Sequence, residues 1–267
     1  MATDQAQKRV FITGASSGLG MALAQHYAGQ GAVLGLVARR RAMLQELVAS
    51  LPNAPLHRVY DLDVTDHAAL ARAADDFIAA NGGVDVVIAN AGVSAGTLTE
   101  CAEDLRTFER IIATNVTATV ATFAPFIATM KQQAQAGRRD GRLVGIASVA
   151  GIRGLPGAEA YSASKSAVIT YCESLRLELK SSGIRVVTIA PGYIDTPMTR
   201  VNSYPMPFLM PADVFAEKAV AAIEAGVSYR VIPWQMGVVA KLLRMAPNWL
   251  YDLAFSNAPR KPRNLKL

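Results

Sequence analysis

The chain has 267 residues, 51% hydrophobic and 18% charged, a balance that supplies a buried core and excludes a disordered chain. Lysine and arginine (27) outnumber acids (21) for a net charge of +6. With the bases spread along the chain, nucleic acid is a weak inference, and an anionic small molecule fits this charge equally well.

Apolar runs rich in Val and Ile predict strands at Lys8–Thr13, Ala32–Ala38, Leu56–Asp61, Val84–Asn90, Arg142–Ser148, Ile184–Ala190 and Tyr229–Pro233. Most are apolar throughout, as in strands covered on both faces. Helix-periodic stretches separate them at Leu19–Gly29, Arg40–Ser50, Asp66–Ala80, Ala102–Met130, Ala158–Ser181 and Pro211–Ala225. The alternation predicts an α/β fold: a single doubly wound, Rossmann-type parallel sheet of about seven strands with helices on both faces. Polar Lys131–Arg142 reads as a surface loop. Residues 1–233 form this one domain, with a substrate loop at 193–210 whose Met/Pro-rich part, Asn202–Pro211, reads as a lid. Residues 234–267 are an extension packed on the same domain.

The first strand runs into Thr13-Gly14-Ala15-Ser16-Ser17-Gly18-Leu19-Gly20. A strand followed by a glycine-rich turn that opens a helix is a phosphate cradle, because backbone N–H groups and the positive helix end face the ligand. The second strand ends in Arg39, Arg40 and Arg41 with no acid. An acid there would hold a ribose 2′-hydroxyl, whereas arginine pairs with a 2′-phosphate, so the dinucleotide expected is NADP. Further on, Tyr161 and Lys165 stand four apart at the start of a helix and share a face. A nearby ammonium lowers a phenol's pKa toward the range useful for acid–base work. Ser148 ends the preceding strand, where its hydroxyl can hold a carbonyl oxygen.

With these motifs in order, the chain resembles the short-chain dehydrogenase/reductase family over roughly Lys8–Met198. The resemblance rests on the T-G-x-x-x-G-x-G turn, Asp63-Val64, Asn90-Ala91-Gly92, Asn115, Ser148, Tyr161 with Lys165, and Pro191-Gly192. It implies a cofactor site of Gly14, Ser16, Ser17, Gly18, Leu19, Gly20 and Arg39. Asp63 and Val64 would contact the adenine, Asn90, Ala91 and Gly92 the ribose region, and Pro191, Gly192, Ile194 and Thr196 the nicotinamide side. It implies catalysis by Tyr161, with Ser148 polarising the carbonyl. Lys165 would bind the nicotinamide ribose and depress the Tyr161 pKa, and Asn115 would hold a relay water beside Lys165. The activity implied is NADP(H)-dependent interconversion of a carbonyl and a secondary alcohol, in homodimers or homotetramers built through Ala102–Met130 and Ala158–Ser181. The sequence departs from the family pattern at Ala89, which replaces a first Asn, and at Ser17, which replaces a frequent base.

Beyond Trp234, Met236–Leu250 predicts a basic amphipathic helix, which covers the domain's own pocket or a partner subunit, or lies in a membrane interface. Its apolar face and the lid suggest a hydrophobic substrate. A non-catalytic NADP-binding sensor or scaffold is the alternative function. Ser162-Ala163-Ser164-Lys165 also spells S-x-x-K, but neither S-D-N nor K-T-G accompanies it, so acyl transfer is set aside. His26, His57 and His67 lack ligand spacing, and no metal site is expected. Cys101 and Cys172 read as reduced packing thiols. The polar Met1–Lys8 and the lack of an apolar run near ~20 residues give cytoplasm as the expected location.

Overall fold

The computed structural model describes residues 7–138 and 140–263; Met1–Ala6, Arg139 and residues 264–267, including Lys266, lie outside the described residues. The strands are β1 (Arg9–Thr13), β2 (Val33–Ala38), β3 (Arg58–Asp61), β4 (Val86–Ala89), β5 (Arg142–Ile146), β6 (Arg185–Pro191) and β7 (Tyr229–Ile232). They form one seven-stranded sheet in the order β3-β2-β1-β4-β5-β6-β7, all parallel, with Val10 opposite both Leu34 and Val86. The strand order reverses between β1 and β4, which leaves a crevice at the carboxyl ends of the strands.

Helices α1 (Gly18–Gly29), α2 (Arg41–Ser50) and α7 (Ala212–Glu224) cover one face of the sheet. Helices α3 (His67–Asn81), α5 (Ala118–Gln135) and α6 (Glu159–Glu178) cover the other, α5 being preceded by α4 (Asp104–Ile112). Period-two alternation divides β1 between the two cores. Val10 and Ile12 join Leu23, Tyr27 and Phe215, while Phe11 packs against Phe77 and Phe126 at ring-centroid distances of 5.5 and 4.9 Å.

Several predicted elements differ in detail. The edge strands β3 and β7 are partly exposed, because each has a neighbour on one side alone. The long helix predicted over Ala102–Met130 widens into a π-helical turn at Ala113–Thr117 that carries Asn115. It then continues to Gln135, because Lys131 to Gln135 are good helix formers, and shortens the predicted loop. The combined helix Asp104–Gln135 is long and apolar enough to cross a membrane, unlike the shorter runs expected. Its Ile111, Phe123, Phe126 and Met130 are nevertheless buried within the protein. The extension forms two helices rather than one, α8 (Trp234–Met245) and α9 (Asn248–Phe255). Pro247 has no N–H to donate and pushes Ala246 to extended backbone (ψ 134°). The Met/Pro-rich segment folds back on the chain, Met210 N donating to Tyr193 O at 3.0 Å and Asp195 N to Met210 O at 2.8 Å, and its Phe208, Leu209, Met210 and Pro211 line a groove with Trp234.

Candidate active site

The turn after β1 shows why it is rich in glycine. Gly14 and Gly18 have φ of +70° and +55°, the left-handed region open to glycine. At Gly20 a Cβ would stand 2.3 Å from the Gly14 carbonyl oxygen, so only glycine lets α1 close on its own entry turn. Asn90 braces this turn from β4, its Nδ2 donating to Thr13 O at 2.9 Å, while Thr13 Oγ1 accepts from the Asn90 and Ala91 amides at 3.1 Å each. Ser17 enters α1 in extended backbone without a side-chain cap, leaving the first-turn N–H groups turned to the cleft. This cradle fits a dinucleotide pyrophosphate.

One continuous cleft runs from this turn to α6. Gly14, Ser16, Ser17, Gly18 and Leu19 line its start, Arg39, Asp63 and Val64 one end, and Asn90, Ala91 and Gly92 its middle. Ser148, Tyr161, Lys165, Pro191, Gly192, Ile194 and Thr196 line the other end. Two of the sequence-derived residues stand behind the wall: Gly20 and Asn115. Arg40 also lines the cleft and donates to Ser16 Oγ and Ser17 Oγ at 3.0 and 2.9 Å. Arg39 Nη1 lies 3.7 Å from Asp63 Oδ2, a half-exposed pair of little energetic weight. Burial alone would raise the Asp63 carboxyl, but bonds from the Thr65 amide and hydroxyl, with Arg39 nearby, hold it below its usual range.

At the chemical end, Ser148 follows β5 in extended backbone, and its Oγ accepts from Ala150 N at 3.1 Å. Gly151 lets this turn press on α6, since a Cβ there would stand 2.5 Å from the Lys165 carbonyl carbon. Tyr161 and Lys165 share a face of α6, with Lys165 Nζ 5.9 Å from the Tyr161 ring centroid. The ammonium is 5% exposed at the residue level and donates to Ile146 O at 2.8 Å. Burial lowers its pKa to about 8.

Burial holds the Tyr161 phenol above its ordinary value, partly offset by the Ser148 hydroxyl. The Lys165 ammonium is turned to the Ile146 carbonyl. The Asn115 carboxamide is engaged with the protein: Oδ1 accepts from Val93 N at 2.8 Å, and Nδ2 donates to Val93 O at 3.0 Å and Ser164 Oγ at 2.9 Å. Its side chain ties the loop after β4 to α6.

The extension packs against the outer side of the cleft wall at Gly192. Gly192 lies against Met236 of α8, where a Cβ would come within 2.8 Å of Cγ. Arg153, between Ser148 and Tyr161 in the chain, donates to the Leu243 and Ala246 carbonyls and stacks 4.0 Å from the Tyr251 ring centroid. The tail then crosses the loops flanking the cleft: Lys261 Nζ donates to Ser94 Oγ at 3.0 Å and Met198 O at 3.3 Å, and Gly96 N to Pro262 O at 2.9 Å. Arg263 Nε pairs with Asp104 Oδ2 at 2.7 Å. Sequence reasoning did not single out Gly151; a glycine three residues after a candidate catalytic serine was the available signal.

The sequence profile described as short chain dehydrogenase matches residues 8–205. An "Uncharacterized oxidoreductase" of Myxococcus xanthus is 38% identical over 253 residues, 94% of this chain and 97% of the relative, so the likeness reaches into the two terminal helices. A 2-dehydro-3-deoxy-L-rhamnonate dehydrogenase (NAD(+)) of Sphingomonas is 35% identical, with 70% of this chain and 72% of the relative covered. The 3-ketoacyl-(acyl-carrier-protein) reductase of Brucella melitensis, solved with NADH, superposes with a TM-score of 0.77 at 26% identity, covering 84% of this chain and 96% of that one. With its seven parallel strands and its cleft at their carboxyl ends, the chain belongs to the short-chain dehydrogenase/reductase family of oxidoreductases.

Proposed function

We propose that the chain is an NADP(H)-dependent oxidoreductase that interconverts a carbonyl and a secondary alcohol on an apolar small molecule. One observation carries this reading: a single cleft has Ser148, Tyr161 and Lys165 at one end and Arg39 and Arg40, without an acid on β2, at the other. When bound, the nicotinamide supplies hydride for reduction and takes it up in oxidation. Tyr161 gives its phenolic proton to the carbonyl oxygen, and Ser148 donates a hydrogen bond to the same atom. The Lys165 ammonium would hold the ribose hydroxyls of the cofactor and stabilises the phenolate left behind. Asn115 acts as a positioning residue, fixing α6 against the Val93 loop. Arg39, with Arg40 beside it, meets the 2′-phosphate through charge-assisted bonds. The names of relatives, a hydroxysteroid dehydrogenase of Arabidopsis thaliana and the ketoacyl reductase above, support carbonyl–alcohol chemistry. Those of the Sphingomonas and Brucella proteins carry NAD(+) and NADH, so the preference for NADP rests on the arginines alone. We assign subunit contacts to α4–α5 and α6, which expose Leu105, Val120 and Leu177.

The test is a panel of ketones, aldehydes and secondary alcohols followed by cofactor absorbance, with cofactor affinities from fluorescence titration. NADPH should bind more tightly than NADH, and Arg39→Ala should narrow the gap about tenfold or more. Equal affinities in the parent protein would refute the preference, and absence of turnover across the panel would favour a sensor or scaffold.

A further inference from the structure

The chain's excess positive charge is concentrated although its bases are spread. Residues 226–267 hold 7 of the lysines and arginines against Asp252 alone, while the 225 residues before them hold 20 bases and 20 acids. The same segment has an inverted helix. On α8 the buried side chains are Met236 and Ala240, and the solvent side carries Trp234, Val238, Leu242 and Met245, exposed by 68, 49, 64 and 74%. On α9, Trp249 and Leu253 are exposed by 70 and 76%. Exposed apolar side chains this dense mark a binding surface. Lys241 and Arg244 lie among them on α8, with no ion pair among the described residues. Trp234 also lines a shallow groove with half-exposed Phe208 and Leu209, and with Lys218 and Arg230.

We propose that α8 and α9 seat the protein on the surface of an anionic lipid bilayer. Tryptophans, aliphatic side chains and unpaired cations on one face are what the headgroup boundary accepts. At 12 and 8 residues the helices are too short to span a bilayer and would lie in its surface. Charge decides between this occupant and a second copy of the chain. Pairing two copies would bring Lys241 and Arg244 of one against those of the other, whereas anionic headgroups neutralise them. The back of this face meets the catalytic cleft through Met236 on Gly192 and Arg153 on α8, so an apolar substrate dissolved in the bilayer would be held beside the cleft.

Both tryptophans of the chain, Trp234 and Trp249, sit on this face, so emission of the full-length protein reports it directly. Phosphatidylcholine vesicles doped with phosphatidylserine should shift the emission to the blue, and brominated acyl chains should quench it, with little response to phosphatidylcholine alone. Lys241→Gln combined with Arg244→Gln should weaken binding about thirty-fold. Leu242→Ser combined with Leu253→Ser should abolish the shift, and both variants should keep the parent's circular dichroism. Emission indifferent to anionic vesicles would overturn the proposal. So would a blue shift that grows with protein concentration in the absence of lipid, which would assign the face to a second copy.

Discussion

A phenol that is to protonate a carbonyl must still hold its proton at working pH. Burial does this for Tyr161 by raising its pKa, while burial lowers Lys165 to about 8. The ammonium is therefore the group that titrates first as pH rises. For carbonyl reduction, kcat/KM should be level below about pH 8 and fall above it as Lys165 loses its charge. Initial rates from neutral to alkaline pH check this; a profile flat through pH 8 would show that the charge on Lys165 does not matter. The stability term has the opposite sign. The penalty of burying the charged lysine is full below about pH 8 and is relieved as pH approaches the ordinary 10.5. Ser148, Tyr161, Lys165 and the glycine turn were legible because their spacing is local and tied to strand and helix ends. The direction of the Tyr161 shift was not, because it depends on how the folded chain buries the phenol. Nor was the use of Asn115, whose partners Val93 and Ser164 lie 22 and 49 residues away.

Strands and helices were read from hydrophobic period, and their ends moved where chain chemistry overrode it. Pro247 split the terminal helix, and good helix formers carried α5 into a predicted loop. How the extension packs was less legible, because it depends on contacts such as Arg153 to Ala246, 93 residues apart. This arginine satisfies carbonyls at the end of α8 that have no helical partner and stacks on Tyr251. Arg153→Ala should cost about 1–3 kcal/mol of local stability. Hydrogen exchange across residues 234–255 should quicken and substrate KM rise, with cofactor affinity unchanged. Unaltered exchange there would show that the extension is held by other contacts.

At the scale of the molecule, seven parallel strands place loops from β1, β2, β4, β5 and β6 at one edge of the sheet, and the reversal between β1 and β4 makes them a single cleft. Residues from Gly14 to Thr196 meet there because the fold brings strand ends together. A sequence read one element at a time shows the members of this site, and the ordered set of motifs shows the fold that joins them. The substrate stays outside that reading, because Val93, Pro197 and Met198, which line the cleft with Ser148 and Tyr161, carry no recognition motif. The account turns on one phenol acting in this cleft. Replacing Tyr161 with Phe removes a single oxygen, and turnover on a substrate found by the panel should fall by about 10²–10⁴-fold while NADPH affinity holds. Undiminished turnover in Tyr161→Phe would contradict the account.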